Sequence, residues 1–271
     1  MTSMTELSLD EIKRLELSVL RNIADFCEKN NLRYFLAYGT LLGAVRHRGF
    51  IPWDDDIDIW MPRPDYETFL KTYVPSQDSF CRLISSSIEK RYGFTFAKVY
   101  DVRTIVREEM YRKAGAGSYG VYVDVFPLDG FASRRQWLVG HLLQKALNVK
   151  NATFGTGRSW VKAAFMRFAK VMLFPVPTAL LVRLSDQNAT RISFDHAGQV
   201  CFLSDTRSFI VTYPKSDFDS YVELIFEGFR FRAPKSYDDV LRRDYGEYMT
   251  PPPIDFQISH HHSSAFWKTF D

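Results

Sequence analysis

Tyr38-Gly-Thr-Leu-Leu-Gly-Ala-Val-Arg-His-Arg-Gly-Phe-Ile-Pro-Trp-Asp-Asp-Asp-Ile-Asp-Ile59 is the stretch that decides the fold. Its first residue ends an apolar strand candidate at 34–38, the Gly-Thr pair interrupts it, and helix-forming residues resume at 41–47. Gly49 and Pro52 make a turn, and the apolar run 57–61 predicts a second strand. The stretch therefore predicts strand, helix, turn and strand, in that order.

Asp56 and Asp58 are two positions apart in the second predicted strand and alternate with two isoleucines. Side chains two apart point to the same face of a strand, so both carboxylates share one face. Ionised carboxylates side by side repel each other, and a hard divalent cation relieves that repulsion at neutral pH. The pair predicts a Mg²⁺ site, with Mn²⁺ as the alternative, and Asp54 and Asp55 add negative charge beside it.

A candidate phosphate-binding segment precedes these acids. Gly39 and Thr40 lie between strand and helix, where glycine lets a ligand approach the backbone and the helix start offers free N–H groups. Arg46, His47 and Arg48 follow one to two turns later, and arginine binds phosphate with two parallel hydrogen bonds. We therefore expect these five residues to bind the substrate.

Two charged residues lie in strand candidates that are otherwise apolar. Asp124 is flanked by valines within 121–126, and Lys98 lies in the run 94–101. A charge in such a run needs a partner or a metal, so Asp124 is the predicted third acid of the site. Lys98 is expected to neutralise substrate phosphate, with Asp101 as its alternative partner.

Each feature has an ordinary explanation when it is taken alone. An acidic triplet after a turn is commonly a solvated corner, Arg46 and Arg48 suit an exposed helix end, Lys98 suits a salt bridge, and Asp124 suits a strand cap. The conjunction is more specific. A Gly-Thr helix start, an acid–apolar–acid strand 16 to 18 residues later and a lone acid in another strand resemble the nucleotidyltransferase superfamily.

Within that superfamily the chain resembles the LicD family over about residues 30–262. The resemblance rests on the quoted stretch, on 96–101 and 123–130, on 237–249 with its trailing prolines, and on the histidines at 260–262. It implies transfer of a phosphorylated alcohol from a CDP-activated donor, such as CDP-choline or CDP-ribitol, to a glycan hydroxyl. The family's metal-binding acids fall on Asp54, Asp56 and Asp58, with Asp124 as the acid of the next strand.

This resemblance makes Asp56, Asp58 and Asp124 the expected catalytic residues, around a Mg²⁺ that bridges the donor pyrophosphate while CMP leaves in line. Two other functions stay open: a true nucleotidyltransferase that releases pyrophosphate, and a non-enzymatic membrane-surface binding protein with a structural acidic cluster. An aromatic cage for a choline ammonium is a weaker expectation. Its candidate residues are Trp53, Trp60, Tyr34, Tyr38 and Tyr122.

The composition is that of one globular domain, which we assign to residues 1–271. The chain is 46% apolar and 25% charged, which excludes disorder and coiled coil as whole-chain descriptions. A net charge of +3 is too small to indicate a nucleic-acid partner. Three widely spaced cysteines and the lack of a recognisable secretory signal predict a cytoplasmic protein.

The remaining pattern predicts an α/β or α+β fold, a nucleotidyltransferase-like mixed sheet flanked by helices. A capping box at Ser8 and Glu11 opens an amphipathic helix that ends near residue 30, and further helices are predicted from Pro64 and Ser236. The remaining strand candidates are residues 94–100, 104–107, 121–126, 209–213 and 224–231.

Residues 134–200 are predicted to be a basic helical insertion within this domain. Ten Lys or Arg and one acid, Asp186, lie at 134–191, which gives about +9 there and about −6 elsewhere. Residues 161–174 mix apolar and basic side chains as interfacial helices do, and predict peripheral binding to an anionic inner membrane face near a lipid-linked glycan acceptor. A helix packed on the core is the alternative. Three cations and two prolines within 161–182 argue against a membrane span.

Overall fold

The computed structural model describes residues 5–77, 79–108, 119–151, 160–207, 209–258 and 263–268. The α-helices in these ranges are α1 Leu9–Lys29, α2 Tyr38–Arg46, α3 Arg63–Thr72, α4 Arg134–Asn151, α5 Trp160–Leu173, α6 Thr178–Ala189 and α7 Tyr237–Tyr245. The strands are β1 Phe35–Leu36, β2 Asp58–Pro62, β3 Cys81–Ile84, β4 Ala97–Asp101, β5 Thr104–Glu108, β6 Tyr122–Phe131, β7 Gln199–Cys201, β8 Tyr213–Pro214, β9 Tyr221–Phe226, β10 Phe229–Pro234 and β11 Ser263–Trp267.

A mixed sheet forms the centre of the molecule, in the order β1-β2-β6-β4-β3. Strands β2 and β6 are parallel to each other, and their other neighbours run antiparallel. The later half of β6 also pairs with β7, and β7 pairs with β8. The mixed sheet with flanking helices confirms the predicted fold class.

Strands β2 and β6 lie in the middle of this sheet and contribute fully buried residues to the core. Ile59, Trp60, Met61, Val123 and Val125 are 0% exposed. A strand buried on both faces has a nearly continuous apolar sequence. Asp58 begins β2, and Asp124 is the third residue of β6, between the buried Val123 and Val125. Burial therefore leaves the two aspartates at one edge of an apolar core.

Helix α1 packs across the sheet as its periodicity predicts. The Ser8 backbone N–H donates to Glu11 Oε2 at 2.8 Å, and the Glu11 N–H donates to Ser8 Oγ at 3.3 Å, which completes the capping box. Val19, Leu20 and Ile23 are at most 1% exposed and pack in the main core. The helix ends at Lys29, close to the predicted boundary.

Several predicted strands differ from those observed. The strand candidate at 224–231, which Glu227 and Gly228 were expected to interrupt, is a hairpin of β9 and β10, because Glu227 (φ 49°) and Gly228 (φ 80°) reverse the chain. The strand expected at 209–213 is reduced to β8. Strands β3, β7 and β11 were not predicted. Strand β11 forms by pairing with β5, a long-range contact that a local pattern does not reveal.

The basic insertion contains the expected helices α4, α5 and α6, and its glycines at 155 and 157 lie outside the described residues. Its last residues contribute β7 to the central sheet. No individual helix in the described ranges has both the length and the hydropathy of a membrane span. The pair Met166–Leu173 and Thr178–His196 has both when the two are taken together, with a bend of 88° between them.

Candidate active site

Asp58 and Asp124 lie directly opposite each other at the start of the parallel strands β2 and β6. Neighbouring strands are about 4.8 Å apart, and residues in register point to the same face, so the two carboxylates share one patch. The Asp124 N–H donates to the Ile57 carbonyl at 2.9 Å, and the Ala37 N–H donates to the Asp58 carbonyl at 3.0 Å. Backbone pairing on both sides therefore fixes this pair of acids.

Lys98 belongs to the same patch through the antiparallel pairing of β4 with β6, which places it opposite Asp124. Its Nζ lies 2.6 Å from Asp124 Oδ1 and 3.4 Å from the centroid of the Tyr122 ring. Lys98 is 2% exposed, so its charge interacts with neighbouring groups inside the protein. The alternative partner, Asp101, binds the Arg103 guanidinium, with 3.0 Å between Nε and Oδ1.

The balance of charge around Asp58 is negative. Burial, followed by the charges of Asp56, Asp124 and Asp54, raises the pKa of Asp58 well above its usual range, and Lys98 offsets this only in part. The structure thus brings the predicted acids close enough to interact, with a single lysine among the causes that oppose the shift. Such an arrangement favours the binding of a cation or the uptake of a proton.

Glu16 of α1 joins the acids, and the sequence analysis missed it. It is 4% exposed, and its Oε2 has no hydrogen-bond partner among the described residues. Burial, then Asp56, Asp55, Asp58 and Asp124, raises the pKa of Glu16. It lines a cavity of about 20 Å³ together with Asp55, Asp56 and Tyr122. The signal was present, because Glu16 lies four residues after Ile12 and three before Val19, on the apolar face of the helix.

The first turn of α2 binds the chain's own acids. A Cβ on Gly39 would lie 2.5 Å from Asp54 Oδ2, so the glycine allows that carboxylate to reach the positive end of the helix. Thr40 is 3% exposed, and its Oγ1 accepts a hydrogen bond from the Asp58 N–H at 2.8 Å. Tyr38, just before them, has a strained positive φ of 43°. The Asp54 carboxylate therefore lies beside the expected phosphate seat, Thr40 positions Asp58, and phosphate binding by Gly39 and Thr40 remains a prediction.

Arg46 and His47 lie at the opposite end of α2 from these contacts. Six residues of helix separate Thr40 from Arg46, which is about 9 Å. The Arg46 Nη1 donates to the Tyr248 carbonyl at 2.7 Å, and its guanidinium lies 6.0 Å from the Trp53 ring. The His47 ring packs edge-on against Trp53. The described contacts of these two residues are with the protein and do not reach the acids, and their role in substrate binding remains a prediction.

Arg48 lies in a turn that the β9–β10 hairpin holds in place. Its carbonyl accepts from the Glu227 N–H at 3.0 Å, and the Phe50 N–H donates to Glu227 Oε1 at 3.0 Å. A Cβ on Gly49 would lie 2.1 Å from the same Oε1, so this close approach requires glycine. The Arg48 side chain is exposed beside this clamp, and its binding role is likewise a prediction.

The C-terminal motif residues reach the start of α2 from the other side. Asp244 of α7 accepts hydrogen bonds from the Tyr213 hydroxyl at 2.8 Å and from Arg207 Nη1 at 2.7 Å. The Arg207 guanidinium in turn lies 5.5 Å from the Tyr38 ring. This network ties α7 to the first residue of α2. The histidines at 260–262 lie outside the described residues.

The expected aromatic cage for choline is wrong for two of its five candidate residues, Tyr34 and Trp60. Tyr34 is 1% exposed and Trp60 is 0% exposed, and both pack in the main core, where no ligand reaches them. Tyr38 packs edge-on against Trp60 at a centroid distance of 4.7 Å. Tyr122 lies over Lys98, so a protein cation already occupies its π face.

The donor set suits a hard divalent cation whose remaining ligands are not protein. Among the described side chains, no three or more from His, Cys, Asp and Glu are grouped so that they could hold a metal by themselves. Mg²⁺ is usually held by one or two carboxylates together with substrate phosphate and water. Asp58 and Asp124 supply such a pair, and the orphaned Oε2 of Glu16 marks an excess of acceptors nearby. The residues therefore fit the ion in number and chemistry.

Comparison with known proteins identifies the same family as the sequence motifs do. Residues 31–185 match the model of the LicD/FKTN/FKRP nucleotidyltransferase domain. The chain is 28% identical to the lipopolysaccharide cholinephosphotransferase LicD of Haemophilus influenzae, over 97% of this chain and 99% of that protein. It is 27% identical to the human ribitol 5-phosphate transferase FKRP, over 44% of this chain and 22% of that protein.

The matched region runs from just before β1 into α6 and includes the acids of β2 and β6. Over this region the motif, the paired aspartates and the mixed sheet occur together. The similarity to two transferases also removes support from the non-enzymatic alternative. The chain belongs to the LicD family and is a LicD-type phosphotransferase.

Proposed function

We propose that this protein transfers phosphocholine, or a similar phosphorylated alcohol, from a CDP-activated donor to a hydroxyl of a cell-surface glycan or its lipid-linked precursor. The similarity to the Haemophilus influenzae lipopolysaccharide cholinephosphotransferase, which extends over 97% of the chain, supports this choice of substrate class. The similarity to the human ribitol 5-phosphate transferase supports the wider class of phosphorylated alcohols. We place the reaction in the cytoplasm, at the inner face of the membrane.

The observation that carries the proposal is the register of Asp58 opposite Asp124, with Lys98 opposite Asp124 on the other side. Two carboxylates and one buried cation are thereby fixed on neighbouring strands. Phosphoryl transfer needs positioning and charge stabilisation more than covalent chemistry, and fixed charges supply both.

We propose Mg²⁺, or Mn²⁺, as the cofactor, with Asp58 and Asp124 as its protein ligands and Asp54 and Asp56 as further candidates. When bound, such an ion neutralises charge on the donor pyrophosphate. Thr40 holds the Asp58 backbone, and Lys98 holds Oδ1 of Asp124. Both contacts pre-organise the carboxylates before substrate arrives.

The reaction forms a bond between the acceptor oxygen and the phosphorus that carries the alcohol, and breaks the bond between that phosphorus and the bridging oxygen. CMP leaves with the electron pair of the broken bond. Asp58 or Asp124 takes the proton of the acceptor hydroxyl, which keeps charge from accumulating on the attacking oxygen. Arg46, His47 and Arg48 are proposed to contact the donor away from the acids.

A product assay tests this function. The protein is incubated with Mg²⁺, a glycan acceptor and CDP-choline, CDP-ribitol or CTP, and the released nucleotide is separated by chromatography. We expect CMP from one of the CDP-alcohols and no release when EDTA replaces Mg²⁺. Release of pyrophosphate from CTP, without CMP from any CDP-alcohol, would overturn the proposal in favour of a true nucleotidyltransferase.

A further inference from the structure

Apolar side chains are exposed where α5 meets α6, a region that we name the elbow and define as residues 164–184. Phe168 is 63% exposed, Val171 69%, Met172 62% and Phe174 86%. Residues three and four apart in a helix lie on one face, so Phe168, Val171 and Met172 form a stripe that continues to Phe174. Contiguous exposed apolar patches mark interaction sites more often than isolated apolar residues do.

Helix α6 of the elbow packs on α4, and a lysine of α4 binds the chain where α5 ends. Leu147 of α4 forms a small core with Leu181 and Val182 of α6, all at most 6% exposed. The Lys150 Nζ donates to the Leu173 carbonyl at 2.9 Å and also to the Val176 carbonyl. A lysine at the end of α5 satisfies its free carbonyls and fixes the bend. The outward apolar residues are therefore held in place.

The elbow is also strongly basic. It contains three Lys or Arg and no Asp or Glu, within the wider stretch 134–191 that has ten Lys or Arg and one acid. That acid, Asp186, pairs with Arg63, with 2.9 Å between its Oδ1 and Nη1. Arg167 and Lys170 lie within one turn of the exposed stripe, and Arg183 is exposed on α6. Apolar side chains and cations thus occupy the same surface.

We propose that the elbow docks on the surface of an anionic lipid bilayer. An interfacial helix buries its apolar face at the boundary of headgroups and acyl chains, while its cations contact anionic headgroups. The 88° bend between α5 and α6 suits a surface insertion better than a straight span. A second copy of this chain is a poorer occupant, because two such elbows would bring like charges together.

This inference rests on the proposed function in one respect: membrane docking would bring the active site to a lipid-linked glycan acceptor. Its binding surface lies on α5 and α6, whereas the acids lie on β2 and β6. Membrane docking and nucleotide chemistry can therefore be measured separately, and each can fail while the other stands.

The test is flotation of the full chain with vesicles of phosphatidylcholine, with or without phosphatidylglycerol, at low and high salt. We expect flotation only with phosphatidylglycerol and a marked loss at high salt. The Phe168→Ser, Phe174→Ser double variant should bind the vesicles at least about tenfold more weakly, because two large apolar groups no longer insert into the bilayer. The Arg167→Gln, Lys170→Gln double variant should lose part of the binding and part of its salt dependence.

The matched control is the Ile254→Ser, Phe256→Ser double variant, which removes two side chains of 81% and 67% exposure outside the elbow. It should float like the wild type, and thermal unfolding of all variants checks that they fold. Unchanged flotation of the Phe168→Ser, Phe174→Ser variant, or no flotation of the wild type, would overturn the proposal. The proposal would also be overturned if analytical ultracentrifugation showed that the wild type is a dimer and that the Phe168→Ser, Phe174→Ser variant is a monomer. Release of CMP, measured in parallel, reports on the proposed function alone.

Discussion

The two ends of the strand pair β2–β6 carry charge in opposite ways. At one end Asp58 and Asp124 lie in register with Lys98 as their buried cation, and further acids raise the pKa of Asp58. Five residues further along the sequence from each aspartate, at the other end, Arg63 at the start of α3 and Asp129 of β6 form a buried pair, with 2.6 Å between Nε and Oδ1. The same burial therefore accompanies an excess of negative charge at one end and a matched pair at the other.

The matched end is what stability requires of buried charge. Burial raises the pKa of Asp129, and the adjacent Arg63 opposes that shift by charge and hydrogen bond. Asp186, on α6, provides a second carboxylate for Arg63 and so connects the helical insertion to the strands. The acid-rich end has no such balance, and a group of like charges costs free energy unless something binds there. The difference separates a structural ion pair from a ligand-binding site.

The largest effect expected at the acid-rich end is on catalysis. Asp58→Asn should lower the rate of CMP release by about a thousandfold or more, because it removes a carboxylate that faces the reacting phosphate. Its melting temperature should be equal to that of the wild type or higher, because one repelling charge is gone. Steady-state kinetics with thermal unfolding measures both. Asp195→Asn, at an exposed position, is the control and should keep normal turnover. Near-normal turnover of Asp58→Asn would show that the acid-rich end is not the catalytic site.

At the matched end the expected effect is on stability. Arg63→Met leaves Asp129 buried without its cation and should lower the free energy of unfolding by about 3–5 kcal/mol. Arg242→Met removes an exposed pair with Asp238 and should cost far less than Arg63→Met, because water screens exposed charges. Urea denaturation gives both values. A loss at Arg63 no larger than that at Arg242 would show that the matched end is not a structural pair.

A smaller effect with a pH signature is expected from Glu16→Gln. The pKa of Glu16 is raised in the folded protein, so its stabilising contribution is complete below the unfolded value, about 4.5, and is lost as pH rises toward the folded value. The variant should therefore gain stability relative to the wild type as pH increases above that point. The gain should be about 1 kcal/mol for each unit of pH in this window.

Melting temperatures of both proteins across this range, without divalent cations, give the measurement. Glu28→Gln, at an exposed position of the same helix, is the control and should show no such trend. A gain that is the same at every pH would mean that Glu16 does not feel the neighbouring acids.

Local pattern predicted the acids of the site but not their partners. The alternation around Asp58, the valines around Asp124 and the apolar run around Lys98 identified three residues that the sheet brings together. The ion pair between Lys98 and Asp124 depends on strand register, which one sequence does not specify. The pair of Arg63 and Asp129 joins residues 66 positions apart, and no local signal links them.

The sequence also did not predict which group lies beside the motif glycine Gly39. Gly39 was expected to admit a substrate phosphate, and it admits the carboxylate of Asp54. Both interpretations need a residue without a Cβ, so residue type alone does not separate them. The first helix was predicted almost to the residue because its cap and periodicity are local, whereas strands β3 and β11 depend on distant partners.

Calorimetric titration of Mn²⁺, in the presence of CDP-choline, tests the central claim most directly. Wild type and Asp186→Asn, which alters the matched end, should bind the cation with similar affinity. Asp58→Asn, which alters the acid-rich end, should bind it at least about tenfold more weakly, since it lacks one of the two protein ligands that we propose. Equal affinity in Asp58→Asn and the wild type would contradict the account.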